Sequence, residues 1–158
     1  MTTEHSMSLD DEYLLRFVLK KTRAELLADT HTPIPRRALL RFKKLKKMRT
    51  HGVPIQYIVG AAWFFGMKFK VTPSVLIPRP ETELMVEHIN ARVAEHKKCS
   101  VIDLGTGSGA IACAVAKNCR ATVSAVDISK RALTVARAKQ VSISGWKRPR
   151  KKVISDER

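Results

Sequence analysis

Residues 101–110 read Val101-Ile102-Asp103-Leu104-Gly105-Thr106-Gly107-Ser108-Gly109-Ala110, and this stretch decides the fold. Val101 to Leu104 has the length and apolarity of a short buried strand, and the three glycines interrupt it. "AIACAVAKN" then continues with small residues suited to a closely packed helix. "ATVSAVD" supplies a second strand ending at Asp127, and "SKRALTVARAKQ" a second helix. Strand, turn, helix, strand, helix is the βαβ pattern of a parallel sheet covered by helices. The expected fold class is α/β: N-terminal helices and a β-hairpin, followed by an incomplete doubly wound sheet.

Each residue of the turn has a physical task. Gly105 and Gly107 let the backbone bend sharply and leave main-chain N–H groups open to a ligand, while Gly109 permits close strand–helix packing. Asp127 closes the next strand 18 residues beyond Gly109. There a carboxylate can accept hydrogen bonds from both ribose hydroxyls of an adenine nucleoside. Glycine turns of this kind occur in nicotinamide, flavin and S-adenosylmethionine folds, and a ligand-free packing turn is the bland alternative. The spacing is G-x-G-x-G rather than G-x-G-x-x-G, and Asp103 stands before the first glycine. A pyrophosphate wants no negative neighbour, whereas an acid suits a ligand that carries a sulfonium and an ammonium. Asp103 therefore favours S-adenosylmethionine over a nicotinamide cofactor.

Upstream, Ser8 with Asp11 approximates a capping box after a tail of about seven residues. Leu14, Phe17, Val18, Ala24 and Leu27 recur at helical spacing and predict one amphipathic helix over about residues 9–28. Pro33 and Pro35 break it. A second helix is expected over about residues 35–49, with Ala38, Leu39, Phe42, Leu45 and Met48 on one side. Its other side is basic, with Arg36, Arg37, Arg41, Lys43, Lys44, Lys46, Lys47 and Arg49 and no acid among them. A phosphate-binding surface and a merely solvated face both fit that pattern. Aromatic residues that might stack bases are not interleaved with these charges, Phe42 belonging to the apolar side.

Gly52, Gly60 and Gly66 punctuate short apolar runs that predict a β-hairpin over about residues 55–77, anchored to the core by Trp63 and Phe64. Pro78 to Pro80 form a stiff extended segment, and a helix is expected from near Glu81–Glu83, where acids favour the positive end of the dipole. A third strand is expected at Val153–Ser155. The domain reading is 1–50 helical, 51–80 hairpin linker and 81–158 partial α/β domain. Cys113 reads as a core filler, and His88 and His96 as solvated helix residues.

A formal net charge of +16, from 30 Lys+Arg against 14 Asp+Glu, predicts attraction to polyanions such as RNA, ribosomes or acidic protein faces. Cys99, Cys113 and Cys119 form an odd set without C-x-x-C or histidines at ligand spacing, so neither a disulfide framework nor a metal site is expected. Nothing approaches the ~18 apolar residues of a membrane span. Glu4, Asp10, Asp11 and Glu12 argue against a signal peptide. A soluble, cytoplasmic monomer is the expectation.

"PIQYIVG", "FFGMKFKVTPSVLIPRPETE", "VIDLGTGSGAIACAVAK" and "AVDIS", in this order, resemble the release-factor glutamine methyltransferase family over about residues 54–140. That family methylates the glutamine of the Gly-Gly-Gln motif in peptide-chain release factors. The resemblance implies a methyltransferase fold with S-adenosyl-L-methionine as cofactor. It puts Gly105, Thr106, Gly107 and Gly109 at the cofactor's methionine half, Asp103 near its amino group and Asp127 at its ribose. It further implies that Arg79, Pro80 and Glu81 line the pocket beside the reacting groups, and that Asp156 of "VISDER" contacts the adenine. The helices before Pro54 are similar in position to the family's helical domain that grips the release factor, and look shorter.

The resemblance also implies an Asn-Pro-Pro-Tyr motif that holds the target amide. This sequence contains none: Asn90 and Asn118 are its only asparagines, and neither precedes a proline. No catalytic residue is therefore assigned, and the chain is expected to be an incomplete methyltransferase, with or without activity of its own. The competing expectation is a non-catalytic basic module for a release factor, ribosome or RNA. Methylation of nucleic-acid amino groups would need a similar clamp, and a nicotinamide dehydrogenase conflicts with Asp103.

Overall fold

The computed structural model describes residues 7–29, 31–96 and 99–138. The chain divides into two compact units, Met1–Val59 and Gly60–Arg158. The expected strand at Val153–Ser155 and Asp156 lie outside the described residues.

The N-terminal unit contains α1 (Leu9–Leu19), α2 (Arg23–Ala28), α3 (Arg36–Thr50) and α4 (Ile55–Val59). Ser8 caps α1 by accepting the Asp11 N–H at 3.1 Å, and Asp10, Asp11 and Glu12 occupy its positive end. The single helix expected over 9–28 is two, because Lys20 turns left-handed at φ 57° and ends α1. Thr22 restarts the helix with a full capping box. Its hydroxyl accepts the Glu25 N–H, and its own N–H donates to the Glu25 carboxylate at 2.7 Å. That backbone bond holds the Glu25 carboxyl below its usual range.

α3 begins at Arg36, with Pro35 as its extended N-cap rather than the first residue of the helix expected over 35–49. Its division into an apolar and a basic side is only partly realised. Lys46 pairs with Asp11 and Arg49 with Asp10, both at 2.6 Å, and the Arg41 guanidinium lies 5.5 Å from the Phe17 ring centroid. Three of the eight cations thus face α1, beside the buried Leu14 and Leu15 of that helix.

In the second unit, β1 (Ala61–Phe64) pairs antiparallel with β2 (Met67–Lys70), joining Phe64 to Met67. Phe65 and Gly66 connect them, both at positive φ, which is the type I′ pattern whose twist suits a hairpin. The hairpin is shorter than the expected 55–77 because Ile55–Val59 is helix α4. Side chains alternate across a strand, so Phe64, Met67 and Phe69 are buried while Trp63 is 66% exposed. Phe64 anchors the hairpin; Trp63, contrary to expectation, does not.

α5 (Glu81–Ala94) follows, then β3 (Cys99–Leu104), α6 (Ala110–Asn118), β4 (Ala121–Val126) and α7 (Lys130–Arg137). β3 and β4 run parallel with Val101 opposite Val123 and Leu104 opposite Val126, giving the α/β fold anticipated from the glycine turn. Phe64, Met67, Phe69, Val86, Ala110, Ala114 and Val115 form the core, with Phe64 and Phe69 edge to face at 6.2 Å. The alanines of α6 let that helix lie close to α5. Glu83 of α5 also accepts the Phe65 N–H at 2.7 Å, tying the hairpin turn to the helix.

Candidate functional site

Because β3 and β4 are parallel, both end on the same side, and the glycine turn grows directly from their ladder. The N–H groups of Gly105 and Thr106 donate to the Val126 carbonyl at 2.8 and 2.9 Å. Gly105, Gly107 and Gly109 have φ of 75°, 56° and 79°, a region that disfavours any side chain. A Cβ at Gly105 would meet nothing within 4 Å, and at Gly107 only the Gly105 carbonyl at 3.9 Å. The outer face of the turn is therefore bare backbone open to a ligand. At Gly109 a Cβ would lie 3.4 Å from Ala136 Cβ, so this glycine admits α7, a helix, rather than the strand expected from sequence.

Both expected carboxylates converge on the turn. Asp103 is half-buried, and its Oδ2 accepts from the Thr106 hydroxyl at 2.7 Å and from the Ala112 N–H at 3.2 Å. Ala112 is the third residue of α6, and Gly109, the N-cap, has no side chain to satisfy that amide. Asp103 does so from the neighbouring strand, placing its charge at the positive end of the helix. Asp127 accepts the Gly107 N–H on Oδ2 and the Ser129 N–H on Oδ1, each at 2.8 Å. An ionised carboxylate has about four acceptor positions, so each aspartate braces the turn and keeps capacity for a ligand.

Ser129 and the Ala112 amide are site components that sequence reading missed. Ser129 also caps α7, its hydroxyl accepting the Ala132 N–H at 3.2 Å. Asp127-Ile128-Ser129 before "KRAL" carried that signal, an Asx turn running into an N-cap. Cys113 lies beneath the turn. Burial, and secondarily the Asp103 charge, push its thiol up to about 11, consistent with a filler rather than a nucleophile.

Arg79, Pro80 and Glu81 form the exposed start of α5, with Pro80 as its N-cap. Among the described residues, no hydrogen bond or ion pair joins them to the glycine turn. Two residues on, Glu83 is committed to the hairpin. His88 and His96 are exposed on and just after α5. No described helix is long and apolar enough to cross a membrane.

The family described as methyltransferase small domain matches residues 80–146, and the PrmC N-terminal domain matches residues 3–60. By these matches the chain is similar to a PrmC N-terminal domain followed by a methyltransferase small domain. The release factor glutamine methyltransferase of Bacillus subtilis (strain 168) is 48% identical over 132 residues, that of Coxiella burnetii 43% over 136, and that of Neisseria gonorrhoeae 44% over 130. These alignments cover 80%, 85% and 82% of this chain, and 46%, 49% and 47% of the relatives. The chain thus resembles the release factor glutamine methyltransferase family over about four-fifths of its length, and spans about half the length of the curated relatives it matches.

Proposed function

We propose that the chain binds S-adenosyl-L-methionine at the carboxyl ends of β3 and β4, and is the cofactor-holding part of a methyltransferase for the Gly-Gly-Gln glutamine amide of release factors. One observation carries this reading: two carboxylates flank a glycine turn whose outer face is bare backbone. The fit is chemical. Gly105, Thr106 and Gly107 would receive the methionine half, Asp103 the ammonium and Asp127 the ribose hydroxyls, while Gly109 keeps α7 in place beneath them. Asp156 would meet the adenine, and Arg79, Pro80 and Glu81 the region beside the reacting groups. When bound, the cofactor supplies the activated methyl group.

In this reading residues 1–50 grip the release factor, 51–80 link and 81–158 hold the cofactor, in a cytoplasmic monomer. The Asn-Pro-Pro-Tyr clamp implied for the glutamine has no counterpart in this sequence, so cofactor binding and methyl transfer are tested separately. Calorimetry with S-adenosylhomocysteine should show binding by the chain, weakened about 10- to 100-fold in Asp127→Ala, as expected for lost charge-assisted bonds. Asp127→Asn, which keeps an acceptor, should fall between. A chain that is folded by circular dichroism yet binds no S-adenosylhomocysteine would overturn the proposal and favour the second reading, a basic module without cofactor. Transfer from labelled S-adenosylmethionine to a release factor then reports whether binding suffices for turnover.

A further inference from the structure

The cations that α3 does not spend on α1 gather on its opposite side. At about 100° per residue, Arg36, Leu40, Lys43, Lys44 and Lys47 project within an arc of about 100°, with Arg37 at its border. All six are exposed, whereas Ala38, Phe42, Leu45 and Arg49, about half a turn away, are partly buried. None of these five cations has an ion-pair partner among the described residues, in contrast to Lys46 and Arg49. The result is a stripe of unneutralised charge about 16 Å long at 1.5 Å per residue. Mutual repulsion along it costs stability unless an external polyanion sits there.

Phe42 of α3 is partly buried on the side away from the stripe, and further aromatic residues come from α1. Tyr13, Arg16, Phe17 and Lys20, at helical spacing i, i+3, i+4 and i+7, line a groove of about 340 Å³ together with Lys21 and Arg41. Arg41 stacks on Phe17, and Tyr13 is 41% exposed. The Arg16 Nε is buried without a hydrogen-bond partner, a donor in want of an acceptor. Lys20 and Arg41 have no ion-pair partner among the described residues. On the α3 surface Arg37 and Arg41 lie between stripe and groove, so the two form one continuous cationic surface with an aromatic platform in it.

We propose that the N-terminal unit binds single-stranded RNA, with phosphates along the α3 stripe and a base stacked on Tyr13. A charge track beside an aromatic ring is the combination that holds unpaired nucleotides. An acidic peptide offers carboxylates but no regular planar groups to occupy the groove. The choice of RNA over DNA rests on the proposed role in translation, where RNA is the abundant polyanion; the binding surface itself does not depend on the cofactor site.

The test is fluorescence anisotropy of the full chain with labelled oligouridylate and oligodeoxythymidylate over a range of salt, with polyglutamate as competitor. RNA affinity should fall with salt at a log–log slope of about −3.5, from five phosphate contacts. Lys43→Glu/Lys44→Glu/Lys47→Glu should weaken binding more than about tenfold and flatten that slope by about two. Tyr13→Ala should weaken it about tenfold at every salt concentration with the slope unchanged. Reversal of three exposed charges elsewhere, Lys117→Glu/Arg120→Glu/Arg131→Glu, should leave affinity within about twofold. All substituted side chains are exposed. Equal losses in both triple variants, or no effect of Tyr13→Ala, would reduce the surface to diffuse net charge and overturn the proposal. DNA bound more tightly than RNA, or ready displacement by polyglutamate, would overturn it in favour of a different polyanion. RNA binding by a chain that fails the calorimetry supports this proposal while sinking the cofactor reading.

Discussion

In the N-terminal unit, Glu12 pairs with Arg16 and Arg23, Lys21 with Asp29, Asp11 with Lys46 and Asp10 with Arg49, while among its described residues only Leu14 and Leu15 are buried and apolar. In the C-terminal unit the proportions reverse: among the described residues the other buried apolar side chains lie there, and no ion pair is found. Partly exposed ion pairs contribute about 0–1 kcal/mol each and are screened by salt. A fully buried phenylalanine contributes about 1.5–3 kcal/mol and is indifferent to salt. The difference teaches that one region is fixed by directional surface contacts and helix caps, leaving its charge free for a partner, and the other by packing around a bare turn.

The strongest way to break that comparison is Phe69→Ala. The side chain is 0% exposed within the aromatic core, and its loss should destabilise the C-terminal unit by about 3–5 kcal/mol. Hydrogen exchange should rise together in the hairpin, α5 and α6. An equal rise in α1 and α3 would show that both units unfold as one body. Gly109→Ala should have a smaller effect, about 2 kcal/mol, combining the left-handed φ with the contact at Ala136. Urea denaturation followed by circular dichroism measures it; an unchanged midpoint would show that the turn yields easily. The smallest effect is expected for Asp11→Asn, about 0.5 kcal/mol on exchange from α1 and α3 in dilute buffer, vanishing at high salt. Persistence of that loss at high salt would mean that packing rather than charge was disturbed.

Legibility in the sequence follows the same division. The strand–turn–helix order and the places of Asp103 and Asp127 could be read directly, because glycine spacing and strand ends fix them locally. What Asp103 does could not, since its partner Ala112 N–H is an ordinary backbone group exposed by the lack of a side chain at Gly109. The break between α1 and α2 is signalled only by the capping box Thr22-Arg-Ala-Glu25, since no glycine or proline marks Lys20. "PIQYIV" was read as strand because a short apolar run carries no period of its own. Trp63 and Phe64, adjacent in a strand, could never both face the core. The juxtaposition of Tyr13 and Phe17 with Arg41 is tertiary, beyond the reach of a scan along one helix.

The thiol of Cys113 has a practical consequence. Burial, with the Asp103 charge second, pushes its pKa up to about 11, so the unreactive thiol form dominates at neutral pH. Alkylating reagents will therefore react with it slowly in the folded chain. Its labelling rate is a built-in gauge of local opening around the start of α6, readable by mass spectrometry without introducing a foreign probe.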